Sequence, residues 1–135
     1  MTTYRAFVDG LEAISVTGVV RQYTQGPPSG AAGVTDCPAQ YVRAPAGDES
    51  PVVFGSQGGF PTMTAELVIL VEPVGQNRQP ENFDDTVDMM DALTTALQAA
   101  DCVTKAKLRW SIRQTIDTVA GLDYWAVVAS VEGRG

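Results

Sequence analysis

Histidine is missing from this chain of 135 residues, and its absence excludes the side chain most often used as a general base or a transition-metal ligand. Lysine is scarce, with only Lys105 and Lys107, and no nucleophilic side chain stands beside a candidate base. The chain contains no phosphate-binding loop, dinucleotide-binding glycine motif, zinc-protease motif, EF-hand or serine-hydrolase elbow. We therefore expect a protein that is not an enzyme and binds no cofactor.

Cysteines and long apolar runs are also few. Cys37 and Cys102 stand far apart in no metal-ligand or redox spacing, which predicts free, buried thiols. The longest wholly aliphatic run is Leu67–Val71, far too short to cross a bilayer. The N-terminal residues lack the basic and then apolar pattern of a signal peptide. These absences predict a protein without a membrane partner that is made in the cytoplasm.

Basic residues are outnumbered by acidic ones. Nine Lys and Arg stand against 16 Asp and Glu, which gives a net charge of −7. This balance disfavours specific nucleic-acid binding, which needs basic side chains to displace counterions from phosphates. The apolar fraction of 44% is ordinary for a folded domain. The length predicts a single domain over residues 1–135 with a real core.

The most informative stretch is Glu81–Ala100, which predicts one long helix. Pro80 is expected to end the preceding segment, and Asn82 to cap the helix. Apolar side chains recur at steps of three and four, which predicts a core-facing stripe: Phe83, Val87, Met90, Leu93, Leu97 and Ala100. No Lys or Arg occurs between Arg78 and Lys105. The opposite side is therefore predicted to be an unneutralised acid face.

The remaining patterns predict one short helix and five strands. A short amphipathic helix near the N-terminus is predicted from the spacing of Tyr4, Phe7, Val8, Leu11 and Ile14, with Arg5, Asp9 and Glu12 facing away. Strands are expected at 19–24, 39–43, 62–74, 107–119 and 124–131, the last two joined by a hairpin turn at 120–123. The predicted order is α-β-β-β-α-β-β. We expect an α+β fold, with a mainly antiparallel sheet and both helices flanking one face.

The segment 44–61 predicts a long flexible loop, because it holds four glycines and three prolines. Loops of this length inside a compact domain are usually functional or disordered. We therefore expect it to order against a partner, and the side chains proposed for docking are Asp48, Glu49, Phe54 and Phe60.

Two charged surfaces are candidate protein interfaces. The helix carries Asp84, Asp85, Asp88 and Asp91, whereas one face of the strand 107–119 carries Lys107, Arg109 and Arg113. The acids alone are too few oxygen ligands for a metal, so no metal is expected. Unlike patches on one molecule can form a heterologous contact that closes into a ring. The alternative is that Arg109 and Arg113 pair locally with Asp117, Glu66 or Glu72 across the strands.

The whole chain resembles the tail terminator, or tail completion, proteins of long-tailed bacteriophages. The resemblance lies in the order of the N-terminal helix, Gly18–Tyr23, the proline-rich loop before Asp36–Tyr41, the Met63–Val71 strand, the acidic helix and the Lys107–Glu132 hairpin. It implies a ring-forming protomer and a homo-hexamer that sits on the tail tube protein and ends tube growth. It also implies a joining surface for the head–tail connector protein, passage of genomic DNA through the lumen without specific binding, and a place in the virion tail or neck. It implies no catalytic residues.

Two other functions remain open on the sequence. One is another neck or tail structural protein, such as a head-closure, adaptor or tube protein. The other is a regulatory α+β domain that binds a small molecule in a pocket on the open sheet face, with Tyr124 and Trp125 as lining residues.

Overall fold

The computed structural model describes residues 4–24, 37–48, 62–74, 79–103 and 107–134. Within them the chain forms two helices and a five-stranded mixed sheet, which is an α+β fold. The elements are, in chain order, α1 (Tyr4–Glu12), β1 (Arg21–Gln22), β2 (Ala39–Asp48), β3 (Thr62–Pro73), α2 (Gln79–Val103), β4 (Lys107–Val119) and β5 (Leu122–Arg134).

The strand order across the sheet is β1-β2-β3-β5-β4. All pairs are antiparallel except β1 with β2, which run parallel through Arg21 opposite Ala39 and Gln22 opposite Gln40. The predicted antiparallel arrangement therefore holds for the four long strands. In the described part of the chain, β4 and β1 form the two edges of the sheet.

Both helices pack on the same face of the sheet, as the sequence predicted. The core on this face joins Phe7 and Leu11 of α1 and Leu93 and Leu97 of α2 to the odd-numbered side chains of β3. These are Met63, Ala65, Leu67, Ile69 and Val71, all almost completely buried. Val68 and Leu70 of the same strand are buried on the opposite face in a second, smaller cluster with Tyr41 and Tyr124. Burial on both faces confirms that β3 is a central strand.

The β4–β5 hairpin turns through only two residues, Ala120 and Gly121, and Val119 pairs directly with Leu122. Both turn residues have positive φ angles, 52° and 82°. Positive φ at both central positions is the requirement of the type I′ turn, whose twist matches that of the flanking strands. The predicted boundaries of β4 are confirmed, whereas β5 begins two residues earlier and ends three residues later than predicted.

Helix α2 is longer than predicted, and near its N-terminus a different side of the helix is buried from the one predicted. The helix begins at Gln79 and includes Pro80 and Asn82. Proline is tolerated in the first turn because the N–H that it lacks would have no partner there. At the other end the helix continues to Val103.

The prediction that Phe83 and Val87 belong to the buried stripe is wrong, since they are 52% and 40% exposed. Leu93 and Leu97 are fully buried as predicted, and Met90 is half-buried against the core. Thr86 and Met89 are also buried, although they were not predicted to be, and the side chain of Ala100 lies outside what the structure describes.

Three smaller predictions are also wrong. Strand β1 is two residues long because only Arg21 and Gln22 pair with β2. Strand β2 continues to Asp48, past an irregularity between Arg43 and Ala46, so the start of the predicted loop is extended chain. Glu12, expected to face solvent, is 8% exposed and buried at the end of α1.

Candidate functional site

The sheet face that carries no helix holds a network of charged and polar side chains. Asp117 of β4 accepts hydrogen bonds from the Tyr41 hydroxyl at 2.6 Å and from Arg43 Nη1 at 2.7 Å. Arg43 Nε also donates to Glu66 Oε1 at 2.9 Å, and Arg113 Nη2 donates to Glu66 Oε2 at 3.0 Å. The network therefore links β2, β3 and β4 in one chain of charge-assisted hydrogen bonds.

These contacts show that the sheet curls over this face. Strands β3 and β5 lie between β2 and β4, and neighbouring strands are about 4.8 Å apart, so a flat sheet would separate β2 from β4 by about 14 Å. In the strand register Tyr41 is in line with Arg113, so Asp117 lies four residues, about 13 Å, further along β4. A flat sheet would therefore place Tyr41 and Asp117 about 19 Å apart, which is more than their two side chains can span. Strong twist and coiling bring the two strands together above Val68 and Val128, which are both fully buried.

The ionisation of the network follows from its contacts. Burial raises the pKa of the Tyr41 hydroxyl, and its hydrogen bond to Asp117 raises it further. Burial lowers the pKa of Arg43, but hydrogen bonds to Asp117 and Glu66 outweigh this effect and the net shift is upwards. Burial raises the pKa of Glu66, and hydrogen bonds from Arg113 and Arg43 outweigh it and lower the pKa. Each group is thus held in the state that the network requires: neutral tyrosine, charged arginine and charged glutamate.

Three of the four proposed acids lie along the side of α2 that faces away from the sheet, and the fourth, Asp85, lies on the flank of the helix beside the segment that precedes β1. Asp84, Asp88 and Asp91 are exposed and Asp85 is half-buried. None of the four forms an ion pair with a described residue. Helix α2 contains no basic residue. Within the described part of the chain, the acid face is therefore not neutralised.

Arg109 and Arg113 of β4 lie on the other side of the sheet from α2. Arg113 is half-exposed and pairs with Glu66, so it takes the local pairing that the sequence left open. Arg109 is exposed and forms no ion pair with a described residue. Lys107 begins β4 and pairs with Arg134 in the register. The fold therefore separates the acids of α2 from Arg109 and Arg113, and of these two arginines it brings Arg113 into the network.

The proposed docking residues fall largely outside the described residues. Glu49, Phe54 and Phe60 lie in the segment 49–61, which is outside them. Asp48 is the last residue of β2 and pairs with Thr62 at the start of β3.

Two open grooves flank these surfaces. The first, which we call the sheet groove, has a volume of about 550 Å³, and among its lining residues are Thr64, Glu66, Arg109, Ser111, Ser130 and Glu132. The second, which we call the helix groove, has a volume of about 350 Å³ and lies between α2 and the segment that precedes β1. Its lining residues include Thr17, Gly18, Cys37, Glu72, Asp85 and Asp88. Neither groove is lined by Tyr124 or Trp125: Tyr124 is fully buried in the second cluster, and half-buried Trp125 of β5 is not among the residues of either groove.

The described residues contain neither a metal-binding cluster nor a membrane-spanning helix. No three His, Cys, Asp or Glu side chains in these ranges are grouped so that they could hold a metal ion. Among the same ranges, no helix combines the length and the apolar character that a membrane crossing requires. Cys37, predicted to be buried, is half-buried and forms no disulfide with a described residue. The side chain of Cys102, also predicted to be buried, lies outside what the structure describes.

Sequence reasoning missed the partners of Tyr41 and Arg43. Asp117 lies 76 and 74 residues further along the chain, and the curl that joins them cannot be inferred from alternation alone. The available signal was the pair of acids, Asp117 and Glu66, already named as possible cross-strand partners for arginine, but Arg43 was not considered with them. A search of protein-family models finds no match to this chain, and a search of curated proteins finds no significant relative.

Proposed function

We propose that this chain is a structural protein of a bacteriophage virion and has no catalytic role. Six copies form a ring that caps the tail tube, ends its polymerisation and provides the joining surface for the head connector. The proposal starts from the resemblance of the whole chain to tail terminator proteins. The charge distribution on the protomer supports it. In this proposal the ring assembles in the host cytoplasm and then becomes part of the virion.

The observation that carries the proposal is the unneutralised acid face of α2. Asp84, Asp88 and Asp91 are exposed and unpaired among the described residues, while Arg109 is exposed and unpaired across the sheet. Two unlike surfaces that point in different directions cannot satisfy each other within one protomer. They can do so between copies in a head-to-tail contact, which closes into a ring when the rotation per copy allows it.

The acid balance also fits a ring through which DNA passes. A net charge of −7 per copy gives a ring of six copies a strongly negative field, and a negative wall repels phosphates. DNA can then move through the lumen without binding to it. The described part of α2 has no basic groove that would bind phosphates, which also favours free passage of DNA.

The test of the acid face is a double charge reversal, Asp88→Lys with Asp91→Lys. We expect the variant to fold and to lose the six-chain species in native mass spectrometry, because the interface would then set like charges against each other. The matched control is Asp9→Lys with Asp123→Lys, which changes the net charge by the same amount at exposed positions away from α2. A variant that keeps a ring as stable as the control's would contradict a role for this face.

The test of the neck role is the particle made without this chain. Loss of a tail terminator leaves tails of uncontrolled length, whereas loss of a head-closure or adaptor protein leaves free tails of normal length, and loss of a tube protein leaves no tube. We expect uncontrolled length in electron micrographs, with wild-type length restored by the chain supplied in trans. Free tails of normal length would move the protein to the head side of the neck.

A further inference from the structure

We draw no further inference here: the strongest candidate, the sheet groove on the face without a helix, is lined by exposed Arg109 and by two carboxylates, Glu66 and Glu132, and nothing in the described part of the chain shows what would occupy it beyond the contact between copies already proposed.

Discussion

At the scale of single residues, long-range side-chain contacts decide how the sheet curls. Tyr41 and Arg43 both reach Asp117 across two intervening strands, and Glu66 is held between Arg43 and Arg113. Removing one partner leaves another polar or charged group in a part-buried place without its hydrogen bond, which costs more than the bond itself contributes. These residues therefore act as a unit that joins β2 to β4.

Tyr41 makes the stability of the folded protein depend on pH in the alkaline range. Its pKa is raised from the ordinary value of 10.0 by burial and by Asp117, so the folded state keeps the phenol proton when the unfolded state has lost it. The stabilisation is fully present below pH 10 and is lost as the pH rises through the folded pKa.

The expected result is a free energy of unfolding that falls from about pH 10 upwards, by as much as ~1.4 kcal/mol per pH unit for one group. Tyr41→Phe should lower stability at pH 7 by about 1 kcal/mol through the lost hydrogen bond, and should flatten the fall above pH 10. Urea unfolding between pH 8 and pH 11 measures both. Tyr23→Phe is the control, because Tyr23 lies outside the network, and an unchanged slope in Tyr41→Phe would refute the assignment.

At the scale of elements, the boundaries of a strand were predicted best where the alternation of apolar and polar residues had a single physical cause. Strand β4 alternates cleanly and was bounded correctly, because one of its faces packs on the core and the other does not. The buried side of the N-terminal part of helix α2 was predicted incorrectly, because hydropathy ranks Phe83 and Val87 as core residues and Thr86 as a surface residue. The hydrogen bond from Gln114 satisfies the Thr86 hydroxyl and allows its burial.

The limits of β1 and β2 were harder to predict for a different reason. Pairing partners, and not local composition, decide where these strands begin and end. Only Arg21 and Gln22 find partners on β2, whereas β2 follows β3 through an irregularity as far as Asp48. The separation of the acids of α2 from Arg109 was predictable, since it follows from two helices on one face. The capture of Arg113 by Glu66 was one of two alternatives that sequence could not separate.

The β4–β5 turn offers a stabilising substitution. Ala120 has a φ of 52°, a left-handed conformation that costs a residue with a Cβ roughly 1 kcal/mol and that asparagine tolerates best. Ala120→Asn should therefore stabilise the protein by about 0.5–1 kcal/mol and raise Tm by a few degrees. Thermal unfolding followed by circular dichroism measures this. Gly121→Ala at the neighbouring φ of 82° is the matched control and should lower Tm; a lower Tm for Ala120→Asn would count against the type I′ geometry.

At the scale of the whole molecule, the protomer carries two kinds of unsatisfied surface. One is electrostatic, with the acids of α2 on one side of the sheet and Arg109 on the other. The other is apolar, since Phe83, Val87, Ile116 and Val20 are each at least 40% exposed. The charged surfaces are an unlike pair, and unlike pairs are satisfied by head-to-tail association and not by a two-fold dimer.

The most direct test of this account is native mass spectrometry of the purified chain over a range of protein concentrations. We expect a species of six chains that grows with concentration, because association shifts the equilibrium by mass action, with little accumulation of two-chain species once the ring can close. A population that stays a single chain at the highest concentration reached would contradict the claim that copies of this protein complete one another.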